Sequence, residues 1–153
     1  MMPAVGMVGT SGRQIAKAFL RMAEGKANCY HITDRQKTGP KVNVLVAAEA
    51  SPILENIVPN LGRGDYLVVN ADDKAIFPLL SQSEATLITY GFNTRACITV
   101  SSVTEDGLQV CIQRAFYGMS GQEQLPQEFL AKLKSHENSD TVLAAAAAWA
   151  VCS

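Results

Sequence analysis

The sequence predicts an α/β domain: a mainly parallel sheet flanked by helices, with an antiparallel hairpin near the C-terminus. Three observations carry this. Short Val/Leu-rich runs alternate with helix-period segments up to residue 90, the pattern of strands joined by crossover helices. A glycine-rich turn, Gly6-Met7-Val8-Gly9-Thr10-Ser11-Gly12, separates the first such run from the first helical segment. After residue 96 two extended runs are joined by Thr104-Glu105-Asp106-Gly107, and Asp-Gly is a strong hairpin signal.

In chain order, Ala4 to Val8 reads as a buried strand. Ser11 to Glu24 places Ile15, Ala18, Phe19 and Met22 at helical spacing, and Gly25 stops the helix. Ala27 to Thr33 is a second strand, and residues 35–41, with Gly39-Pro40, are a loop. Val42 to Ala47 is a third strand. Ser51 is placed to cap a helix over Pro52 to Leu61, with Pro52 at its first position and Pro59 disturbing its end. Tyr66 to Val69 and Thr86 to Thr89 are strands on either side of one or two helical turns over Lys74 to Leu80. Cys97 to Val103 and Leu108 to Phe116 form the hairpin. A turn at Gly118 to Gly121 allows a short strand near Gln122 to Leu125, and Pro126 to Lys134 reads equally as helix or extended chain. Ser139 or Asp140 caps the last helix, Thr141 to Val151. Its five consecutive alanines permit close packing. It is apolar on nearly every side, so burial against a sheet or a second subunit is expected.

Bulk composition narrows the function classes. The 153 residues suit one domain. Thirteen basic and fourteen acidic residues give a net charge of −1, with no basic excess for a phosphate backbone, so nucleic acid is not an expected partner. The longest apolar run, Val142 to Cys152, is too short to span a bilayer. Met1 to Val5 lacks a charged leader pattern, so no signal peptide is expected. Cys29, Cys97, Cys111 and Cys152 are scattered, as befits small buried hydrophobes in a reducing cytoplasm, and their spacing does not suit zinc.

The glycine-rich turn admits three readings. A strand-to-helix turn offers backbone N–H groups and a helix dipole to a phosphate. As a degenerate P-loop, Gly12-Arg13-Gln14 stands where Gly-Lys-Ser/Thr is required: Arg13 keeps the positive charge, but Gln14 is a poor Mg²⁺ ligand. As a Rossmann-like dinucleotide fingerprint, Gly6, Gly9 and Gly12 are followed by Asp34, about 20 residues on, where a ribose-binding acid belongs. The third reading is a turn that needs glycine for geometry alone.

Gly64-Asp65-Tyr66-Leu67-Val68-Val69-Asn70-Ala71-Asp72-Asp73, followed by Leu87-Ile88-Thr89-Tyr90-Gly91-Phe92, resembles the central, nucleotide-binding domain of the Mur ligases. In that family a strand ends in Asn-x-Asp-Asp, and the next strand ends in Tyr-Gly or Phe-Gly. Gly9-Thr10-Ser11-Gly12-Arg13 resembles the family's Gly-Thr-Asn-Gly-Lys, and Asn138-Ser139-Asp140-Thr141-Val142-Leu143-Ala144-Ala145 resembles its Asn-x-x-Asn-x-Leu-Ala-Ala. The four anchors occur in order and cover most of the chain. The resemblance implies a nucleotide site, for ATP or another nucleotide or anionic small molecule, built from Gly9, Thr10, Ser11, Gly12, Arg13, Asn70, Asp72 and Asp73, with Asn70 on the adenine side. The competing reading of Asn70, Asp72 and Asp73 is that they cap the next helix.

The sequence departs from the family at the P-loop lysine and threonine. At the last motif's histidine, Glu137 stands in place and His136 is displaced by one. The metal-binding glutamate and histidine and the modified lysine have no evident counterpart, and Glu49 and Glu55 sit in no recognisable motif. The other two ligase domains also have no counterpart. The expectation is therefore a truncated, degenerate relative without complete ligase activity. Two alternatives stay open: a Rossmann-like NAD(P)-binding module, and a ligand-free scaffold that forms a homo-oligomer. Elsewhere, His31 reads as a structural strand histidine and Ser101-Ser102 as a sheet pair. Arg95 reads as solvated surface or an anion fork, and Trp149 as core or oligomer contact.

Overall fold

A computed structural model of the chain describes residues 2–33, 41–80 and 83–153. Asp34 and most of the loop expected over 35–41 lie outside the described residues. The first half comprises β1 (Ala4–Val8), α1 (Gly12–Ala23), β2 (Asn28–Ile32), β3 (Val44–Ala47), α2 (Leu54–Ile57), β4 (Tyr66–Asn70) and β5 (Thr86–Tyr90). The second comprises β6 (Ile98–Val103), β7 (Gly107–Ile112), β8 (Phe116–Tyr117), β9 (Glu123–Gln124), β10 (Gln127–Lys132) and α3 (Ser139–Cys152). Val58–Asn60 and Lys74–Leu80 are 3₁₀ turns.

Eight strands form one sheet in the order β10-β7-β6-β5-β4-β3-β1-β2. Neighbours from β2 to β6 run parallel, while β7 and β10 are antiparallel. β8 and β9 make a separate small hairpin. The central strands β3 and β4 are buried almost throughout, and their sequences, VLVA and YLVVN, are correspondingly apolar, because a parallel sheet is covered on both faces. The edge strand β2 alternates between exposed and half-buried until Ile32, which is buried in the second core.

One core lies between the sheet and α1 with α3, and contains Val5, Met7, Phe19, Val44, Val68 and the alanines of α3. The other lies under α2 and the 3₁₀ turns, around Leu45, Leu54, Leu67 and Ile76. α1 buries Ile15, Ala18 and Phe19 and exposes Arg13, Gln14 and Lys17. α3 packs on α1 and on strands across the sheet, and Ala144 to Ala148 are all fully buried. Trp149 is half-buried against Phe129, with ring centroids 5.3 Å apart. The apolar faces of α3 are thus buried within the chain, against α1 and the sheet. Among the described residues no helix is long and apolar enough to cross a membrane.

Several local expectations are corrected. The helix expected over Pro52 to Leu61 is one α-turn, Leu54–Ile57, running into 3₁₀ geometry at Pro59, and no side chain caps it. Only the Ser51 carbonyl takes part, accepting from Leu54 N–H. The cap of α3 is Asn138 rather than Ser139 or Asp140; its Oδ1 accepts from Thr141 N–H at 2.8 Å. The second hairpin strand stops at Ile112. Pro126 to Lys134 resolves as extended, because β10 completes the sheet beside β7 and turns Ala131 into the core beneath α3.

The chain steps from β1 outward to β2, then returns past β1 to β3. The strand order therefore reverses between β1 and β3, where the diverging connections open a crevice at the carboxyl ends of the strands.

Candidate functional site

Two turns meet at that edge. The first follows β1. Gly9 adopts φ +123°, a conformation that favours glycine, and its carbonyl accepts from Gly12 N–H at 3.1 Å. Gly12 opens α1 against β2: a Cβ there would lie 2.5 Å from His31 Cδ2 and 3.2 Å from the Met7 carbonyl. His31 Nε2 is 3.2 Å from the Gly9 carbonyl, so this histidine is a structural partner of the turn. The amide N–H of Thr10 donates to Glu49 Oε1, and the Thr10 hydroxyl donates to the same oxygen at 2.6 Å. Glu49 lies just past β3. Its carboxylate occupies the place at the Thr10 N–H where a bound anion would sit.

The second turn follows β4, and its polar side chains are spent on backbone. Asn70 Nδ2 donates to the Ala48 carbonyl at 3.0 Å, and Asn70 Oδ1 accepts from Asp72 N–H at 3.0 Å. Asp73 accepts from Ala50 N–H at 2.9 Å with one oxygen and from Ala75 N–H at 3.2 Å with the other, so it caps the 3₁₀ turn that follows. Asp72 accepts from Phe92 N–H at 2.7 Å and Asn93 N–H at 3.0 Å, clamping the segment after β5. A Cβ on Gly91 would sit 2.8 Å from both Asp72 oxygens, which is why glycine follows Tyr90.

The two turns frame a crevice of about 320 Å³, lined by Ser11, Glu49, Asn70, Asp72, Asp73 and, from across the sheet, Tyr90 with the first turn of α3. A neighbouring crevice of about 310 Å³ is lined by Gly9, Thr10, His31 and the segment from Glu49 to Ile53. Glu49 stands between them and lines both. Of the expected site residues, Ser11, Asn70, Asp72 and Asp73 come together in the first crevice and Gly9 and Thr10 in the second. Gly12 and Arg13 line neither, and Arg13 is exposed.

Among the described residues the first crevice is lined by four carboxylates, on Glu49, Asp72, Asp73 and Asp140, and by no Lys, Arg or His. Among the described residues no three acidic, histidine or cysteine groups are placed to hold one metal ion. Tyr90 is 3% exposed. Burial, reinforced by the Asp140 and Asp72 charges, pushes its phenol well above the ordinary value. Sequence reasoning missed Glu49 as a partner of Thr10, because their contact spans 39 residues and has no local signature. It also missed the α3 contribution of Asp140 and Thr141.

Outside the crevice, Glu137 is structural. Its Oε2 accepts from Arg21 Nη1 at 2.7 Å, its Oε1 accepts from Lys134 N–H at 2.9 Å, and the Arg21 bond holds its carboxyl below the ordinary glutamate value. Burial raises the Cys29 thiol to about 11 and the Cys152 thiol to about 12, in keeping with inert interior cysteines. Arg95 is exposed, and its carbonyl accepts from the Arg114 guanidinium.

No family model and no curated protein matches the sequence. Solved structures do match, 22 chains in all. One is the structure of UDP-N-acetylmuramoyl-L-alanyl-D-glutamate–2,6-diaminopimelate ligase, with a TM-score of 0.64 at 11% identity over 94% of this chain and 42% of that one. The chain spans less than half the length of that ligase. The likeness is one of fold: this chain shares an α/β architecture with a Mur ligase.

Proposed function

We propose that this chain is a non-ligase relative of the nucleotide-binding domain of Mur ligases. On this reading it keeps the switch-point crevice as a small-ligand site and has lost Mg²⁺-ATP chemistry. The carrying observation is the Glu49 carboxylate hydrogen-bonded to the Thr10 amide and hydroxyl. A phosphate entering this turn meets an anion already in place, in a crevice that the described residues line with four carboxylates and no basic group. Arg13 stands in the position of the P-loop lysine but points outside both crevices. Asn70, Asp72 and Asp73, which the resemblance would give to the nucleotide, are engaged with the backbone of the same chain. The order of anchors along the sequence and the shared fold support descent from a nucleotide-binding domain; the occupied cradle supports loss of phosphate transfer.

Calorimetry with ATP, ADP and a UDP-sugar, each with and without Mg²⁺, tests this. The wild-type chain is expected to show no saturable nucleotide binding below millimolar concentration. Glu49→Ala, which frees the Thr10 N–H, is expected to improve phosphate or ADP binding by about tenfold, the worth of one charge-assisted hydrogen bond. Tight Mg²⁺-ATP binding by the wild type, with release of ADP, would overturn the proposal.

A further inference from the structure

The first crevice is lined by two hydroxyl side chains that bond no described residue. Tyr90 and Thr141 are 3% and 4% exposed, both line the crevice, and neither hydroxyl has a hydrogen-bond partner among the described residues. Tyr66, by contrast, donates its hydroxyl to the Tyr117 carbonyl at 2.5 Å. Among the described residues the one side-chain oxygen both sealed from solvent and unpartnered is Thr99 Oγ1; the Tyr90 and Thr141 hydroxyls open instead on the crevice, where they are free to bond a ligand that enters it.

The surrounding charge says what that is. Asp72 and Asp73 already receive two backbone N–H bonds each. The available acceptors are the Asp140 carboxylate, which bonds no described group, and Glu49 Oε2, because Glu49 uses only Oε1 on Thr10. The helix ends nearby do not reverse this polarity: Asn138 caps α3, Asp140 sits in its first turn, and the turn before α1 gives its Thr10 N–H to Glu49. A point cation is poorly served, since no three ligating groups converge among the described residues. An extended cation with N–H donors is well served.

We infer that the crevice binds a small organic ammonium ion, an alkyl diamine or similarly elongated primary amine, with its N–H groups shared among Asp140, the free oxygen of Glu49 and the hydroxyl oxygens of Tyr90 and Thr141. The volume, about 320 Å³, is at the lower end of small-molecule sites, about 300 to 1,000 Å³. Taking this crevice as the ligand site follows the reading above; the cationic nature of the ligand does not depend on the chain's descent.

Calorimetry of the full chain with 1,4-diaminobutane at low salt is the test. Saturable one-site binding is expected, weakened by added salt. Asp140→Asn is expected to weaken it about tenfold and Tyr90→Phe about threefold or more, each by loss of a bond to the ammonium. Melting curves and circular dichroism check that both variants keep the fold. No binding at millimolar diamine, affinity unchanged in both variants, or binding of Mg²⁺ with none of diamine would each overturn the inference. The nucleotide titrations are separate: saturable Mg²⁺-ATP binding refutes the functional reading, whereas silence toward both nucleotide and diamine refutes only the amine.

Discussion

The turn after β1 and the turn after β4 lie at the same edge of the same sheet and solve opposite problems. The first is rich in donors: glycine geometry exposes N–H groups, and the Thr10 amide is met by a carboxylate from 39 residues away. The second is rich in acceptors: Asn70, Asp72 and Asp73 find their donors in neighbouring backbone. On the proposed reading, the first exchanges its partner for an outside anion when Glu49 withdraws. The second cannot release its partners without loosening the loops that frame the crevice. Residues that look alike as ligand-binding motifs thus divide into a single long-range contact, exchangeable on the proposed reading, and a structural clamp.

The sharpest way to break that distinction is Asp72→Ala. Two charge-assisted hydrogen bonds are lost, and about 2 to 4 kcal/mol of stability is expected to go with them in urea denaturation, with faster amide exchange at Phe92 and Asn93. A cost near zero would mean that the clamp is ornamental. Gly12→Ala comes next, at about 1 to 3 kcal/mol, because the added methyl meets the His31 ring and the Met7 carbonyl. Arg21→Met is a control remote from both turns, expected to cost about 1 to 2 kcal/mol at pH 7. The Glu137 carboxyl is held below its ordinary value, chiefly by Arg21, so this contribution is present above the unfolded glutamate value, about 4.3, and fades as pH falls through the lower folded one. Wild type and variant should therefore converge in acid. Glu49→Gln is expected to change stability least, by less than about 1 kcal/mol. A large loss there would move the first turn into the same structural class as the second.

Much of the architecture was legible because periodicity is local. The apolar runs of β1, β3 and β4, the Asp106-Gly107 hairpin and the alanine-rich last helix follow from short-range pattern. The extended state of 127–132 was not decidable locally, since it depends on β7 offering an open edge. The cap of α3 was misplaced by one or two residues: Asn138, Ser139 and Asp140 are all good caps, and only the backbone conformation selects Asn138. At the site, the four anchors located the right edge of the sheet. The chemistry was less legible. Whether Asn70, Asp72 and Asp73 face a ligand or a backbone is a property of distant segments at 48–50 and 92–93. Glu49 sat in no motif, and its role appears only when β1 and β3 lie side by side.

The burial of α3 also bears on how the molecule comes into being. The strands β1 to β7 and α1 emerge from the ribosome first, yet one face of their sheet is sealed by fourteen residues at 139–152. Without that segment Val44, Val68, Val110 and their neighbours lack part of their cover, and exposed apolar sheet of this kind favours aggregation. The helix acts as a keystone, and the Asn138 cap that starts it also brings Asp140 and Thr141 to the crevice. The candidate site is therefore complete only when α3 is docked on the sheet.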